Sequence, residues 1–337
     1  MQHYCEIPTP KGTLRGFFHK PNQDKHPVCL IFHGFTGQKT GTKFSYVQLS
    51  RMLEAKGIAS FRFDFLGSGE SDGNFVDMTF QDELSCARVI LEECLKMENC
   101  TEIYVLGHSM GGAIASELAK LYPNVIKKMV LWAPAFNLPD ALHYLTGQVE
   151  RAKTYDHGGY EISDDFVEDI LKRDFYQELD TYQNDLLVIH GTKDTTVPYE
   201  ISNKYMKLFH KGTKFISIED GNHNFDKLSD IKQVLKLTLD FFGNKNFRLA
   251  NENNRGLINV ALFEVVSVFF DQKTDRELIE NKDYIINQYF NVLLKDTEFR
   301  DAIKTATNNE KNVKTRFSKI FTILIHICQC IHTAMLK

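Results

Sequence analysis

The sequence lacks the features that would mark a membrane protein, a nucleic-acid-binding protein or a secreted protein. Its formal net charge is only −4 over 337 residues, so it has no basic field that would attract nucleic acid or anionic lipid. The first residues, MQHYCEIPTPKG, contain no apolar core and no cleavage pattern, which predicts no signal peptide and favours a cytoplasmic location. The apolar run at 320–336 is short and interrupted by polar residues, so we expect no transmembrane segment.

Cysteine is also scarce, with 7 residues at scattered positions. Several of them lie inside predicted strands or helices, which indicates reduced, buried thiols rather than a disulfide framework. The one dense group is HICQCIH at 326–332. Alternate positions on a helix point in different directions, so this spacing does not gather ligands around one metal ion. We therefore predict no metal site and no cofactor.

Short apolar runs alternate with amphipathic stretches over most of the chain. The runs typical of buried strands are 28–33, 58–63, 103–108, 128–133, 186–190 and 214–219. The helical patterns between and after them are 44–56, 79–97, 111–122, 199–210 and 228–242. This alternation predicts an α/β fold, a mostly parallel sheet flanked by helices, with its chemistry at the carboxyl ends of the strands.

Two breaks in this pattern divide the chain. The first break, at about 135–184, contains no core strand. An insertion of that length indicates a cap, and the alternative is a disordered surface segment. The second is rich in asparagine and glycine, and only helical patterns follow it, at 257–270, 276–295 and 314–337. We expect a domain over 1–243, a linker over 244–256 and a helical module of unknown role over 257–337.

The most informative motif is Gly-His-Ser-Met-Gly at 107–111. A strand-like run (IYVL) precedes it and a helical pattern (GGAIASELAKLY) follows it. This is the context of a nucleophile elbow, in which flanking glycines allow a sharp strand-to-helix turn that exposes the serine hydroxyl. The motif predicts that Ser109 is a nucleophile, and the alternative is a tight turn without chemistry.

A serine nucleophile needs a base and an orienting carboxylate, and the chain supplies both in the order typical of α/β-hydrolases. Asp194 follows the strand-like run LLVIH, and His223 follows KFISIE. We predict that His223 is the general base and then the general acid, and that Asp194 holds its tautomer. The alternatives are that Asp194 only caps the turn before Val197 and that His223 is a surface turn residue.

Two backbone N–H groups are candidates for an oxyanion hole. One belongs to Met110, at the start of the helix after the elbow. The other belongs to Phe35 in HGFTG (33–37), the loop after the first buried strand. His33 and His108 are interpreted as packing residues beside these loops.

Six segments together resemble the bacterial cinnamoyl or feruloyl esterases of the α/β-hydrolase fold. They are HGFTG, FDFLGSGESDGNFVDMT (63–79), GHSMGG, WAPAFNLPDAL, HGTKDTTVP and GNHNF, and the resemblance covers about residues 1–243. It implies a cap inserted after the sixth core strand and a small-molecule substrate, a hydroxycinnamate ester. By position, it also implies that Asp140 and Tyr176 bind the phenolic hydroxyls.

The chain departs from this family at two positions and shares a motif with another. Met110 stands where relatives often have glutamine, and a cap glutamine has Gln148 as its nearest counterpart. GHSMGG also resembles monoacylglycerol lipases, so a monoacylglycerol lipase or a broad short-chain carboxylesterase is the alternative. A hypothesis of a different class is that the C-terminal helices form an interaction module that mediates homo-oligomerisation.

Overall fold

Eight strands form one sheet in the computed structural model, which describes residues 2–146, 152–208, 213–243, 248–251, 254–258, 292–304 and 311–320. Contacts divide the chain into two compact units, Met1–Gly243 and Asn244–Lys337. The strands of the first unit are β1 Gln2–Thr9, β2 Gly12–His19, β3 His26–Phe32, β4 Ala59–Phe63, β5 Cys100–His108, β6 Ile126–Trp132, β7 Thr154–His157, β8 Tyr160–Ser163, β9 Asp185–Gly191 and β10 Lys214–Ile218. The sheet has the order β1-β2-β4-β3-β5-β6-β9-β10.

The six strands predicted from apolar runs, β3 to β6, β9 and β10, form the parallel part of this sheet. Every residue of β3 and β4 is buried, because helices cover both faces. The helices of this unit are α1 Ser45–Ala55, α2 Phe80–Leu95, α3 Met110–Leu121, α4 Leu138–Thr146, α5 Asp164–Leu171, α6 Tyr199–Leu208 and α7 Leu228–Gly243. One apolar core lies under α2 and α3 and a second under α1 and α7. The predicted fold class is confirmed.

The sequence pattern missed the first two strands. β1 and β2 form an antiparallel hairpin that joins β4 at one edge of the sheet. Most of β1 is exposed, so it lacks the continuous apolar run by which the central strands were recognised.

The cap segment lies between β6, the sixth strand in chain order, and β9. It contains α4, the antiparallel hairpin of β7 and β8, and α5. The hairpin turns at Gly158 and Gly159, whose φ values of 60° and 89° favour glycine. Ser163 then caps α5 by accepting a hydrogen bond of 3.2 Å from the N–H of Phe166.

The second unit corrects the prediction of a strand-free linker. Strand β11 (Arg248–Asn251) and strand β12 (Asn254–Ile258) pair as an antiparallel hairpin. The predictions of a linker over 244–256 and of a helix that starts at 257 are therefore wrong. Asparagine-rich segments between strand residues are typical of hairpin turns as well as of linkers. Helices α8 Thr297–Lys304 and α9 at 311–320 follow.

Much of the predicted helical module, including HICQCIH at 326–332, lies outside the described residues. Its role in homo-oligomerisation stays a prediction, and so does a cytoplasmic location. In the ranges that are described, no helix combines the length and the hydropathy needed to span a bilayer.

Candidate active site

Ser109 lies at a sharp turn between β5 and α3. Its φ of 56° and ψ of −123° are sparsely populated by residues other than glycine, and such strain is typical of functional turns. The turn is held from both sides, because the N–H of Ser109 donates to the carbonyl of Trp132 at 2.9 Å and its carbonyl accepts from Ala135 at 3.0 Å. The backbone therefore fixes the serine at the carboxyl end of the central strand.

The elbow needs glycine on both sides of the serine because the chain approaches itself closely there. A Cβ atom on Gly107 would overlap the carbonyl oxygen of Gly111. A Cβ atom on Gly111 would overlap the carbonyl oxygens of Phe32, the last residue of β3, and His33. The motif is thus explained by packing as well as by the turn.

The three residues predicted as a triad form one chain of hydrogen bonds. The hydroxyl of Ser109 lies 2.9 Å from Nε2 of His223, and Nδ1 of His223 lies 2.7 Å from Oδ2 of Asp194. With a proton on Nδ1, His223 donates to the carboxylate and accepts from the serine. This arrangement can withdraw a proton from Ser109 as its oxygen attacks a carbonyl carbon.

Asp194 is held by more donors than the triad requires. Its Oδ1 accepts from the N–H groups of Thr196 and Val197, both at 2.9 Å. Burial raises the pKa of Asp194, but hydrogen bonds from His190, His223 and Val197 outweigh burial and leave the pKa well below its usual value. The carboxylate therefore stays charged beside the imidazole.

His190 is a positioning residue that the sequence reasoning missed. Its Nε2 lies 3.0 Å from Oδ2 of Asp194 and 2.9 Å from the carbonyl of Val197, so it carries a proton and donates. Its Nδ1 lies 2.6 Å from the hydroxyl of Ser202 in α6. His190 thus fixes the same oxygen that orients His223.

We expect His190→Gln to lower kcat by about tenfold and to change KM little. A hydrogen bond to a charged group contributes about 1.5–3 kcal/mol, and about 1.4 kcal/mol is tenfold in rate. The exposed His3→Gln on β1 is the matched control. Steady-state kinetics with unchanged kcat in His190→Gln, or with a change in KM alone, would show that His190 does not act through Asp194.

The predicted oxyanion donors belong to Met110, the first residue of α3, and to Phe35, in the loop after β3. Within the part of the chain that the structure describes, the N–H groups of Phe35 and Met110 donate to no protein group. The loop of Phe35 comes close to the serine, since a Cβ atom on Gly34 would lie 2.9 Å from Cβ of Ser109. Two N–H donors near the Ser109 hydroxyl are the elements that an oxyanion hole requires.

Two buried histidines support these loops in neutral form. Nε2 of His33 accepts from the N–H of Phe65 at 3.0 Å, so its Nδ1 donates to the carbonyl of Gly34 at 2.9 Å. Burial lowers the pKa of His33. Burial and the nearby His223 lower the pKa of His108 to about 3. Both residues pack beside the site.

A buried ion pair anchors the loop of Phe35. Asp64 has no exposed surface, and its carboxylate accepts from the N–H of Lys39 at 2.6 Å and from the N–H of Glu70 at 2.9 Å. The ammonium of Lys39 pairs with the same carboxylate. The loop of Glu70 is therefore tied to the loop that carries the Phe35 N–H.

The cap contacts the oxyanion loop through aromatic rings. The ring of Phe35 stacks on Phe166 of α5, with centroids 5.2 Å apart, and lies 5.7 Å from the ring of His157 in the cap hairpin. A cavity of about 340 Å³ opens at Ser109 and His223, and Phe35 and His157 line one part of it. The cap thus forms part of the wall of the site.

Asp140 and Tyr176, predicted from the resemblance to bind substrate, lie near each other in the cap segment. Burial and then the negative charges of Asp140 and Asp174 raise the pKa of Tyr176 to about 12. The ammonium of Lys204 lies 3.9 Å from the centroid of the Tyr176 ring. The residues that line the cavity at Ser109 include neither Asp140 nor Tyr176. Gln148 lies outside the described residues.

No cluster of histidine, cysteine or carboxylate side chains suited to a metal ion occurs among the residues that the structure describes. The described cysteines, at 5, 29, 86, 94 and 100, are free thiols.

Known proteins share this architecture. A family model described as serine aminopeptidase S33 (Hydrolase_4) matches residues 23–157. The structure of Est1E from Butyrivibrio proteoclasticus with ferulic acid bound is similar over 71% of this chain and 97% of its own, with a TM-score of 0.66 and 27% identity. The chain has an α/β-hydrolase fold. The eight-stranded sheet of this fold lies within the first unit.

Curated relatives match over shorter segments. Human monoglyceride lipase is 32% identical over 118 residues, which is 34% of this chain and 37% of the lipase. Protein phosphatase methylesterase 1 of Candida albicans is 26% identical over 115 residues, 34% of this chain and 31% of the methylesterase. The chain thus spans about a third of the length of these relatives. Both of these relatives are named as hydrolases of esterase or lipase type.

Proposed function

We propose that this protein is a serine carboxylesterase that hydrolyses esters of hydroxycinnamic acids through an acyl-enzyme. The observation that carries the esterase chemistry is the hydrogen-bond chain from Ser109 through His223 to Asp194. A serine hydroxyl at neutral pH becomes an effective nucleophile when such a base removes its proton during attack.

The proposed reaction has two steps. Ser109 attacks the ester carbonyl while His223 takes its proton, and the N–H groups of Phe35 and Met110 stabilise the oxyanion. His223 then gives that proton to the leaving alcohol, and an acyl group remains on Ser109. In the second step His223 activates a water molecule that releases the acid.

Two observations support a hydroxycinnamate as the acyl group. The first is the similarity to Est1E, whose structure contains ferulic acid. The second is the pair of Asp140 and Tyr176, near enough that the Asp140 carboxylate helps to raise the pKa of the Tyr176 phenol, with the ring of Phe136 6.2 Å from that of Tyr176. A carboxylate and a phenol beside an aromatic ring suit a phenolic ring that carries hydroxyl groups, and they disfavour substrates without them.

A comparison of methyl ferulate with ethyl butyrate tests this specificity. We expect Asp140→Asn and Tyr176→Phe each to lower kcat/KM for methyl ferulate by about 10- to 100-fold, because asparagine replaces a charged hydrogen-bond acceptor with a weaker neutral one and phenylalanine lacks the hydroxyl. We expect a much smaller change for ethyl butyrate. Tyr160→Phe, an exposed position in the cap hairpin, is the control.

The alternative is a monoacylglycerol lipase or a broad short-chain esterase, which the similarity to human monoglyceride lipase favours. The same variants distinguish it. Equal small effects of Asp140→Asn and Tyr176→Phe on both esters, with faster turnover of a monoacylglycerol than of methyl ferulate, would replace the hydroxycinnamate proposal with this one.

A further inference from the structure

The loop that carries the Phe35 N–H contains a strained turn. The N–H of Gly37 donates to the carbonyl of Gly34 at 2.9 Å, so Phe35 and Thr36 are the two central residues of a tight turn. Thr36 has a φ of 57°, which a β-branched residue rarely adopts. Such a conformation persists only where surrounding contacts restrain it. The direction of the Phe35 N–H therefore depends on what packs against this turn.

Three aromatic rings pack against the ring of Phe35. The ring of Phe75, just before α2, lies 5.3 Å away between centroids, and that of His157 in the cap hairpin lies 5.7 Å away. Phe166 of α5 is stacked on Phe35, with centroids 5.2 Å apart and planes at 23°. Of these three partners, Phe166 is the most buried, with 2% of its surface exposed, and His157 is exposed. Phe166 is thus the firmest support for the Phe35 ring.

The helix that carries Phe166 is fixed to α2. The carboxylate of Asp169 in α5 accepts from the N–H of Gln81, in the first turn of α2, at 2.7 Å. Arg173 joins the two residues, since its guanidinium donates to Asp169 at 2.6 Å and to Oε1 of Gln81 at 3.1 Å. These bonds restrain α5 against a helix of the sheet, so the ring of Phe166 has a fixed position under that of Phe35.

Phe166 is one step removed from the cavity at Ser109. Among the described residues, those that line the cavity include Phe35 and His157 and do not include Phe166. An ester in this cavity therefore meets Phe35, and Phe35 in turn contacts Phe166. A change at Phe166 reaches the reaction through Phe35.

We propose that Phe166 is a positioning residue whose ring holds Phe35 so that the Phe35 N–H is directed at the oxyanion. The cap then supports the chemistry even of esters with a two-carbon acyl group. Loss of a whole oxyanion donor lowers kcat by about 10²- to 10³-fold, so we expect a loosened donor to cost about tenfold. This role of Phe166 rests on the proposed esterase mechanism and is independent of the identity of the acid.

A small ester tests the role of Phe166. Leucine at this position stays apolar and removes the stacked ring. We expect Phe166→Leu to lower kcat for p-nitrophenyl acetate by about tenfold and to change KM little, because the oxyanion forms only during the reaction. A trifluoromethyl ketone forms an oxyanion when Ser109 adds to it, so its affinity should fall by the same factor.

Phe35→Leu tests the same contact from the other side. It keeps the backbone N–H and removes the ring, so we expect a loss of kcat of about tenfold here too. The double variant should also be about tenfold slower than the wild type, since both substitutions remove the same stack. A loss of about a hundredfold in the double variant, the product of two independent effects, overturns the inference. Phe35 is only partly buried, so this variant keeps the test decisive if Phe166→Leu does not fold.

Phe175→Leu is the matched control, because Phe175 is another buried ring of the cap segment, 1% exposed. Among the described residues, its ring contacts are with Phe80 and Phe136. It should keep the wild-type kcat for p-nitrophenyl acetate, and thermal unfolding checks that each variant is folded.

Two kinds of result separate this inference from the proposed function. A folded Phe166→Leu with the wild-type kcat, or a folded Phe175→Leu that is as slow as Phe166→Leu, overturns the role of Phe166 and leaves the esterase standing. A wild type that hydrolyses no ester, or hydrolysis that persists in Ser109→Ala, overturns the proposed function itself.

Discussion

Replacing Ser109 with alanine is expected to lower kcat for ester hydrolysis by about 10⁵- to 10⁶-fold. The hydroxyl of Ser109 is the group that forms the acyl bond, and its hydrogen bond to Nε2 of His223 is the path for its proton. The two N–H donors and the cavity stay in place, so weak binding and a small residual rate remain. The residual rate of Ser109→Ala can be measured in assays that are stopped at fixed times, with the enzyme in excess over the ester.

The matched control is Ser85→Ala, since Ser85 lies on the exposed face of α2 and its hydroxyl donates to the carbonyl of Gln81 in the same helix. Its kcat should equal that of the wild type. Thermal unfolding should show that Ser109→Ala is folded, because alanine removes one oxygen and keeps the backbone. A loss of less than tenfold in folded Ser109→Ala would exclude this serine as the nucleophile.

Asp194→Asn is expected to lower kcat by about 10⁴-fold through the tautomer of His223. Two backbone N–H groups, those of Thr196 and Val197, donate to Oδ1 of Asp194, so the amide oxygen of asparagine takes that position. The amide nitrogen then faces Nδ1 of His223 and donates to it. The imidazole proton moves to Nε2. Because Nε2 faces Ser109 and now carries a proton, it cannot accept the serine proton.

The same substitution changes the dependence of stability on pH. The pKa of Asp194 is lower in the folded protein than in the unfolded chain, so its charge stabilises the fold above the unfolded pKa, and this stability is lost as the pH falls. We expect the difference in unfolding free energy between wild type and Asp194→Asn to be larger at neutral than at acidic pH. Urea unfolding at several pH values measures it.

Asp24→Asn, in the exposed loop before β3, is the control for both effects. It should keep the wild-type kcat and the wild-type dependence of stability on pH. If Asp194→Asn also kept its kcat, His223 would not depend on Asp194 for its tautomer, and another residue would have to orient the imidazole.

The fold and the proposed triad were predictable because their signals are local. Buried parallel strands are continuous apolar runs, and a strand followed by Gly-His-Ser-Met-Gly and a helix has few other interpretations. Asp194 and His223 are 29 positions apart, yet each follows a strand of the parallel part of the sheet, and the carboxyl ends of parallel strands meet at one edge of a sheet. The structure places them 2.7 Å apart.

Other parts of the site depend on contacts that leave no periodic signal. His190 is the buried end of a strand, and nothing in LLVIHG shows that its ring reaches Asp194. Asp64 and Lys39 are 25 positions apart on different loops, so their ion pair appears only in three dimensions. The hairpin of β11 and β12 was missed because asparagine and glycine are common in linkers and in tight turns alike.

The central claim, an acyl-enzyme on Ser109, is tested most directly by covalent labelling and mass spectrometry. A fluorophosphonate reacts with serines that an adjacent base activates, so intact mass should show one adduct per chain and peptide mapping should place it on Ser109. Ser109→Ala should take up no label, and methyl ferulate should slow labelling of the wild type. A label on another residue, or equal labelling of Ser109→Ala, would contradict the proposed mechanism.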